Sequence, residues 1–208
     1  LRNIPVMNHV TPEGHSELLL RNVRVPVGNL LGNEGDGFMM AQARLGPGRI
    51  HHCMRAIGMA ELALELMIDR SQERKTFGRY LHQHGSIAEW IARSRMEIEQ
   101  ARLLVLKAAW MIDAVGARKA RKEIAMIKAV VPGMLSNVVD RAMQIFGAMG
   151  LTPDTPLADL WTGARALRIA DGPDEVHLRS VARIEIDERK ELHGQSSAYL
   201  TPPDVLRR

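Results

Sequence analysis

Ile50-His51-His52-Cys53-Met54-Arg55-Ala56-Ile57-Gly58-Met59-Ala60-Glu61-Leu62-Ala63-Leu64-Glu65-Leu66-Met67-Ile68 decides the fold class of this 208-residue chain. Ile50, Met54, Ile57, Leu64 and Ile68 recur at helical spacing, with Glu61 and Glu65 among the polar interruptions. Leu62, Ala63, Leu64, Leu66 and Met67 nearly encircle the same helix. A helix so broadly apolar is buried on more than one side, which suggests a bundle and helix-mediated oligomerisation.

The pattern repeats downstream. Ile87, Ile91, Ile98, Val105, Ala109 and Ile112 form a second stripe. Ala120, Ile124, Ile127 and Val131 form a third, which Pro132-Gly133 is expected to end, and Met134, Val138, Ala142, Ile145 and Met149 form a fourth. A fifth helix is predicted from Pro173, a favoured first helical position, to about Leu192. Long helices with short connections imply an antiparallel bundle. Upstream, Ser16–Leu20 and Val23–Val27 read as short strands, interrupted by Pro5, Pro12, Gly14 and Pro26. Two or three strands make no stable sheet alone, so they are expected to complete a sheet begun further upstream. Gly28–Gly37 reads as a loop, and the stretch from Gly194 as a tail that packs poorly or wraps a neighbour.

Composition agrees. The chain is 46% hydrophobic, enough for a core, but only 4% aromatic, with 12 Met. That balance suits packed helices better than a β-sandwich. Cys53 is the single cysteine, which excludes an intramolecular disulfide and a paired-cysteine metal site. No run approaches the ~20 apolar residues of a membrane span, and no signal-peptide pattern is present. The chain opens at Leu1 on strand-like sequence, which reads as an N-terminal truncation. A net charge of +4 suits a polyanionic partner. The run Arg118-Lys119-Ala120-Arg121-Lys122 offers a nucleic-acid reading, but the aromatic–basic interleaving of nucleic-acid modules is absent.

Four short motifs could carry chemistry, each beside a plain structural explanation. In Arg74-Lys75-Thr76-Phe77-Gly78 the guanidinium and hydroxyl suit a phosphate; an ordinary helix C-terminus explains it as well. Gln144-Ile145-Phe146-Gly147-Ala148-Met149-Gly150 would admit a flat cofactor or another backbone, or simply cap a helix at Gly147 or Gly150. From residue 37 onward the period is helical, and Leu45-Gly46-Pro47-Gly48-Arg49, near the start of that first long helix, could hold a phosphate or carboxylate on free N–H groups. In Arg168-Ile169-Ala170-Asp171-Gly172-Pro173-Asp174-Glu175 acids in the first turn offset the helix dipole. Asp171, placed before the Gly-Pro turn, is set to project into a cleft as a general base. The eight histidines show no metal-binding spacing, and His51-His52 read as surface or cap residues.

In order, these motifs resemble the acyl-CoA dehydrogenase family from about Glu17 to Glu191. Val23-Arg24-Val25-Pro26, Asn29-Leu30-Leu31-Gly32 and Gly35-Asp36-Gly37-Phe38 look like the family's exit from its β domain; Arg74-x-x-Phe77-Gly78, Gln144-x-x-Gly147-x-x-Gly150 and the Asp171-Gly172 loop follow in sequence. The resemblance implies residues 1–35 as the end of a middle β domain, 36–193 as an antiparallel four-helix bundle domain and 194–208 as a tail. It implies FAD, an acyl-CoA substrate, a homodimer or dimer of dimers, and electron-transfer flavoprotein or a similar acceptor. Its location would be the cytoplasm in a bacterium, or the mitochondrion or peroxisome in a eukaryote. It makes Asp171 the catalytic base. Arg74 and Gln144, Ile145, Phe146, Gly147 and Ala148 become contacts to the neighbouring subunit's FAD, and Pro173, Asp174 and Glu175 contacts near the adenine side. Gly46, Pro47, Gly48, Arg49 and Gly172 become acyl-CoA contacts. The chain departs from the family's common Tyr-Glu-Gly-Thr in having Ala170-Asp171-Gly172-Pro173, which resembles the subgroup of family members ten and eleven and their bacterial relatives. A non-catalytic FAD- and acyl-CoA-binding scaffold, or an acyl-CoA oxidase, are the alternatives that this departure leaves.

Overall fold

The computed structural model describes residues 2–4 and 15–190. Five helices dominate: α1 Gly37–Glu73, α2 Gly85–Val115, α3 Arg121–Phe146, α4 Leu157–Leu167 and α5 Asp174–Lys190. Strands are few. β1 (Arg2–Ile4) pairs antiparallel with β2 (His15–Glu17), and β3 (Lys75–Thr76) pairs antiparallel with β4 (Arg79–Tyr80) in a hairpin between α1 and α2. The predicted tail from Gly194 lies outside the described residues.

α3 is the centre of the bundle and packs on each of the other four helices. Its apolar positions Ile124, Ile127, Val131, Leu135, Val138, Ala142 and Ile145 are all buried. From Ile127 onward they meet Ala56, Ala60, Ala63, Leu64 and Met67 of α1, and Ile98, Ala101, Val105 and Ala108 of α2, in one contiguous core. Small alanines let the α1 and α2 backbones approach α3 closely, and truncating a fully buried leucine such as Leu135 in such a core costs about 2–5 kcal/mol. Charge pairs join the helices at their rims. Arg141 of α3 forks onto Glu97 of α2, with both N–O distances 2.8 Å, and Arg95 of α2 forks onto Glu61 of α1 at 2.7 and 2.8 Å.

Several expectations need correction. The third and fourth predicted helices are one: Pro132 sits inside α3. The apolar spacing runs through Val131, Met134 and Val138 without a change of phase, so a continuous buried stripe outweighs the ~3 kcal/mol cost of interior proline. α4 was not foreseen. Leu157, Ala164 and Leu167 nevertheless bury one face of it after Pro156. Only Ser16 and Glu17 of the Ser16–Leu20 run lie in a strand, and Val23–Val27 forms none. The leucines and valines of these runs are exposed, as are Leu30, Leu31 and Phe38, and among the described residues none of them lies in a strand.

The segment Gly46-Pro47-Gly48-Arg49 is not a helix start. It lies a third of the way into α1, which begins at Gly37. Its N–H groups belong to the helix ladder and are not free for an anion. Pro47 is tolerated because it and Ala43, whose carbonyl loses its i+4 donor, both face solvent.

Candidate active site at the turn between α4 and α5

The turn from Arg168 to Pro173 is built on backbone that side chains seldom allow. Asp171 has φ 56° and Gly172 φ 107°. The first is uncommon for any residue with a Cβ. At the second, a Cβ would stand 2.9 Å from Nε2 of His177, so only glycine fits. Such conformations persist where the surroundings over-determine them, and here the surroundings come from three helices.

α3 supplies Lys128, which is only 1% exposed. Its Nζ donates to the carbonyls of Leu167 (2.6 Å) and Ala170 (2.8 Å). These carbonyls lie where α4 ends, and an ammonium there also offsets the helix dipole. Burial pushes the Lys128 amine below its ordinary value, against the pull of Asp171 and Asp174. α1 supplies Arg49, whose Nε donates to the Asp171 carbonyl at 3.1 Å. α5 supplies His177, 5% exposed, with Nε2 3.2 Å from the same carbonyl. Since a carbonyl only accepts, that nitrogen carries the hydrogen. Burial and the nearby Arg49 lower the pKa of His177, so it is a neutral donor.

With its backbone fixed, Asp171 turns its carboxylate onto α1. Oδ2 lies 3.2 Å from Nε2 of His52, and a Cβ on Gly48 would stand 3.9 Å from the same oxygen. The side chain is 21% exposed. Asp174 is engaged differently: its Oδ2 accepts from Nε of Arg168 at 2.7 Å while its Oδ1 is buried without a partner. Pro173 and Glu175 are exposed. Arg49 and His177 also line a cavity of about 640 Å³ between α1, α3 and α5. Its walls join Arg118, Arg121 and Arg183 to apolar Met39 and Ile124.

The other predicted residues lie elsewhere. Arg74 ends α1 and opens the hairpin, whose turn residues Phe77 and Gly78 have φ 49° and 82°; the plain helix terminus expected here continues into a hairpin. α3 ends at Phe146, and Gly147, with φ 65°, caps it through its N–H to the carbonyls of Met143 and Gln144. The Arg70 guanidinium lies 5.5 Å from the Phe146 ring centroid, so the hairpin and the α3 end share one end of the bundle. Arg49 and Arg74 are twenty-five residues apart on one helix, about 37 Å at ~1.5 Å per residue. The structure thus gathers Gly48, Arg49, Asp171 and Gly172 at one place, and Arg74 and Gln144–Ala148 at another.

Residues 35–185 match the family model for the acyl-CoA dehydrogenase C-terminal domain. The chain belongs to the acyl-CoA dehydrogenase family. It is 57% identical over 190 residues to "Probable acyl-CoA dehydrogenase FadE2" of Mycobacterium tuberculosis, covering 91% of this chain and 47% of that protein. It is 55% identical to acyl-CoA dehydrogenase family member 11 of Gallus gallus over 86% of this chain and 23% of that one. The solved structure of butyryl-CoA dehydrogenase from Megasphaera elsdenii superposes with a TM-score of 0.73 at 34% identity, covering 81% of this chain and 43% of that one. The chain therefore spans about half the length of the bacterial relatives and about a quarter of family member 11.

Proximity in space shows what sequence reading missed. His52 and His177 contact Asp171 and Lys128 holds the turn that carries it, yet they lie far from it in sequence or inside helices. Only His177 carried a local signal, six residues beyond Asp171 and on the inward face of the predicted helix.

Proposed function

We propose that this chain is the C-terminal bundle of an FAD-dependent acyl-CoA dehydrogenase in which Asp171 removes the α-proton of an acyl-CoA thioester. One observation carries this reading: the turn bearing a strained aspartate is clamped by donors from three helices, and two of those donors, Arg49 and His177, also line an apolar cavity with further arginines in its walls. Arginines that meet phosphates and walls that meet a methylene chain suit an anionic amphiphile such as an acyl-CoA. Arg49 donates to the Asp171 carbonyl from the cavity wall and Gly172 follows the base; Gly46, Pro47 and Gly48 precede Arg49 on α1 and complete the acyl-CoA contacts of this reading.

The residues toward FAD fit the group. Arg74 has no ion pair among the described residues, Phe77 is 99% exposed, and Gln144, Gly147 and Ala148 lie open beside them. A free guanidinium, an exposed aromatic ring and uncovered backbone suit a pyrophosphate and a flat ring system. Arg74, Gln144, Ile145, Phe146, Gly147 and Ala148 would hold the FAD of a second copy, with Pro173, Asp174 and Glu175 near the adenine side of the chain's own. When bound, FAD would supply the acceptor for the hydride that leaves the substrate's β-carbon. The chain's own part is the proton: the α-C–H bond breaks toward Asp171, its electrons form the α,β double bond, and trans-2-enoyl-CoA results. A homodimer or dimer of dimers, with electron-transfer flavoprotein as acceptor, completes the reading.

The test is Asp171→Asn in the FAD-loaded enzyme. Asparagine keeps the shape and tolerates left-handed backbone. Turnover with acyl-CoA is expected to fall by about 10²–10⁴-fold, the range for a general base, with the flavin spectrum retained. Normal turnover with FAD bound would overturn the assignment.

A further inference from the structure

His52 stands in the second turn after Pro47 of α1, half-buried, with both ring nitrogens engaged. Nδ1 lies 3.4 Å from Nη2 of Arg55, one helical turn on. A guanidinium can only donate, so Nδ1 must accept. The neutral ring then carries its hydrogen on Nε2, which faces Oδ2 of Asp171 at 3.2 Å. Partial burial, reinforced by Arg55, Lys128 and His51, keeps the ring below its ordinary pKa in spite of Asp171. Oδ1 of Asp171 has no hydrogen-bond partner among the described residues. The two carboxylate oxygens are therefore unequal: one is tied to α1 and the other is free.

Resting on the reading of Asp171 as the base, we infer that His52 is its positioning residue. The imidazole donates Nε2–H to Oδ2 and presents Oδ1 as the oxygen that takes the substrate proton. An aspartate is one methylene shorter than a glutamate and has less reach to correct a misplaced carboxylate. The tether supplies that correction from a rigid helix. Arg55 sets the tautomer, much as an outer hydrogen bond fixes the working nitrogen of a catalytic histidine. After the proton arrives on Oδ1, the Oδ2 contact need not change, so His52 takes no proton itself.

Two measurements test this. Nitrogen-15 NMR of the histidine side chains should show His52 as the Nε2–H tautomer at neutral pH, and its Nε2 signal should move in Asp171→Asn. In the FAD-loaded enzyme, His52→Ala should lower kcat about tenfold or more, as small misplacements of reacting groups do, with KM changed less than about twofold. His52→Gln, whose amide can donate to the same oxygen, should recover most of the loss. An Nδ1–H tautomer, an Nε2 signal indifferent to Asp171→Asn, or a His52→Ala enzyme with unchanged kcat would overturn the inference. The failures are separable. Normal turnover of Asp171→Asn removes the base itself and the inference with it. An Nδ1–H tautomer in a protein whose Asp171→Asn variant is inactive removes the tether alone.

Discussion

His177 shows how a single buried side chain couples the site to pH. Its ordinary pKa is 6.5, and burial together with Arg49 lowers it in the folded chain. The unfolded chain therefore binds a proton here at a higher pH than the folded chain does. Stability is full above pH 6.5 and falls as pH drops from 6.5 toward the folded value, by up to about 1.4 kcal/mol per pH unit for one such group. His52 shifts in the same direction. Glu61 acts in a separate window: its hydrogen bond from Arg95 lowers its pKa, so its contribution holds above 4.5 and is lost only below that. The urea midpoint should thus decline from pH 6.5 to 5, and more shallowly in His177→Gln than in the parent chain. Parallel curves would mean that His177 is not the neutral donor to Asp171.

The hairpin of β3 and β4 is an element whose shape and burial point in different directions. Phe77 and Gly78 take positive φ, as the favoured two-residue hairpin turns require. The phenyl ring at that turn contacts nothing that it stabilises, because it is almost fully exposed. Phe77→Ala should leave thermal stability within about 0.5 kcal/mol of the parent, as surface changes do, while reducing flavin retention in the loaded enzyme. Equal flavin content in both would remove the hairpin from the cofactor site. The elements also mark where the sequence was readable. α1 and α2 were legible because their apolar stripes are unbroken. α3 was split at Pro132-Gly133, although the stripe from Ile124 to Ile145 keeps its phase there, and phase is the better guide. α4 is eleven residues long, which left too little periodicity to separate it from the loops beside it. At the candidate site, the ordered short motifs singled out Asp171 and Arg49, which the fold brings together. Lys128 and His52 were hidden, since a charge on an apolar stripe and a histidine pair on a helix acquire meaning only from their neighbours in space.

For the molecule as a whole, the two clusters of proposed site residues lie at opposite reaches of a long bundle. No movement of a rigid helix brings Arg74 to Asp171 within one chain. If both serve FAD, they serve it from different copies, and cofactor retention becomes a property of the assembly. Diluting the loaded enzyme through its subunit dissociation range should release flavin in step with monomer formation. Full flavin content in the separated monomer would show that Arg74 and Gln144–Ala148 are dispensable. The core that holds these ends apart is continuous from α1 through α3 to α2, so its stability is shared rather than confined to either site.

The burial of Lys128 has a consequence for chemical labelling. Its amine hangs the α4–α5 turn from the central helix and has almost no contact with solvent. An acylating reagent can reach it only when that turn lifts from α3. The rate at which Lys128 is modified, set against the immediate reaction of exposed Lys75, therefore clocks how often the turn carrying Asp171 opens.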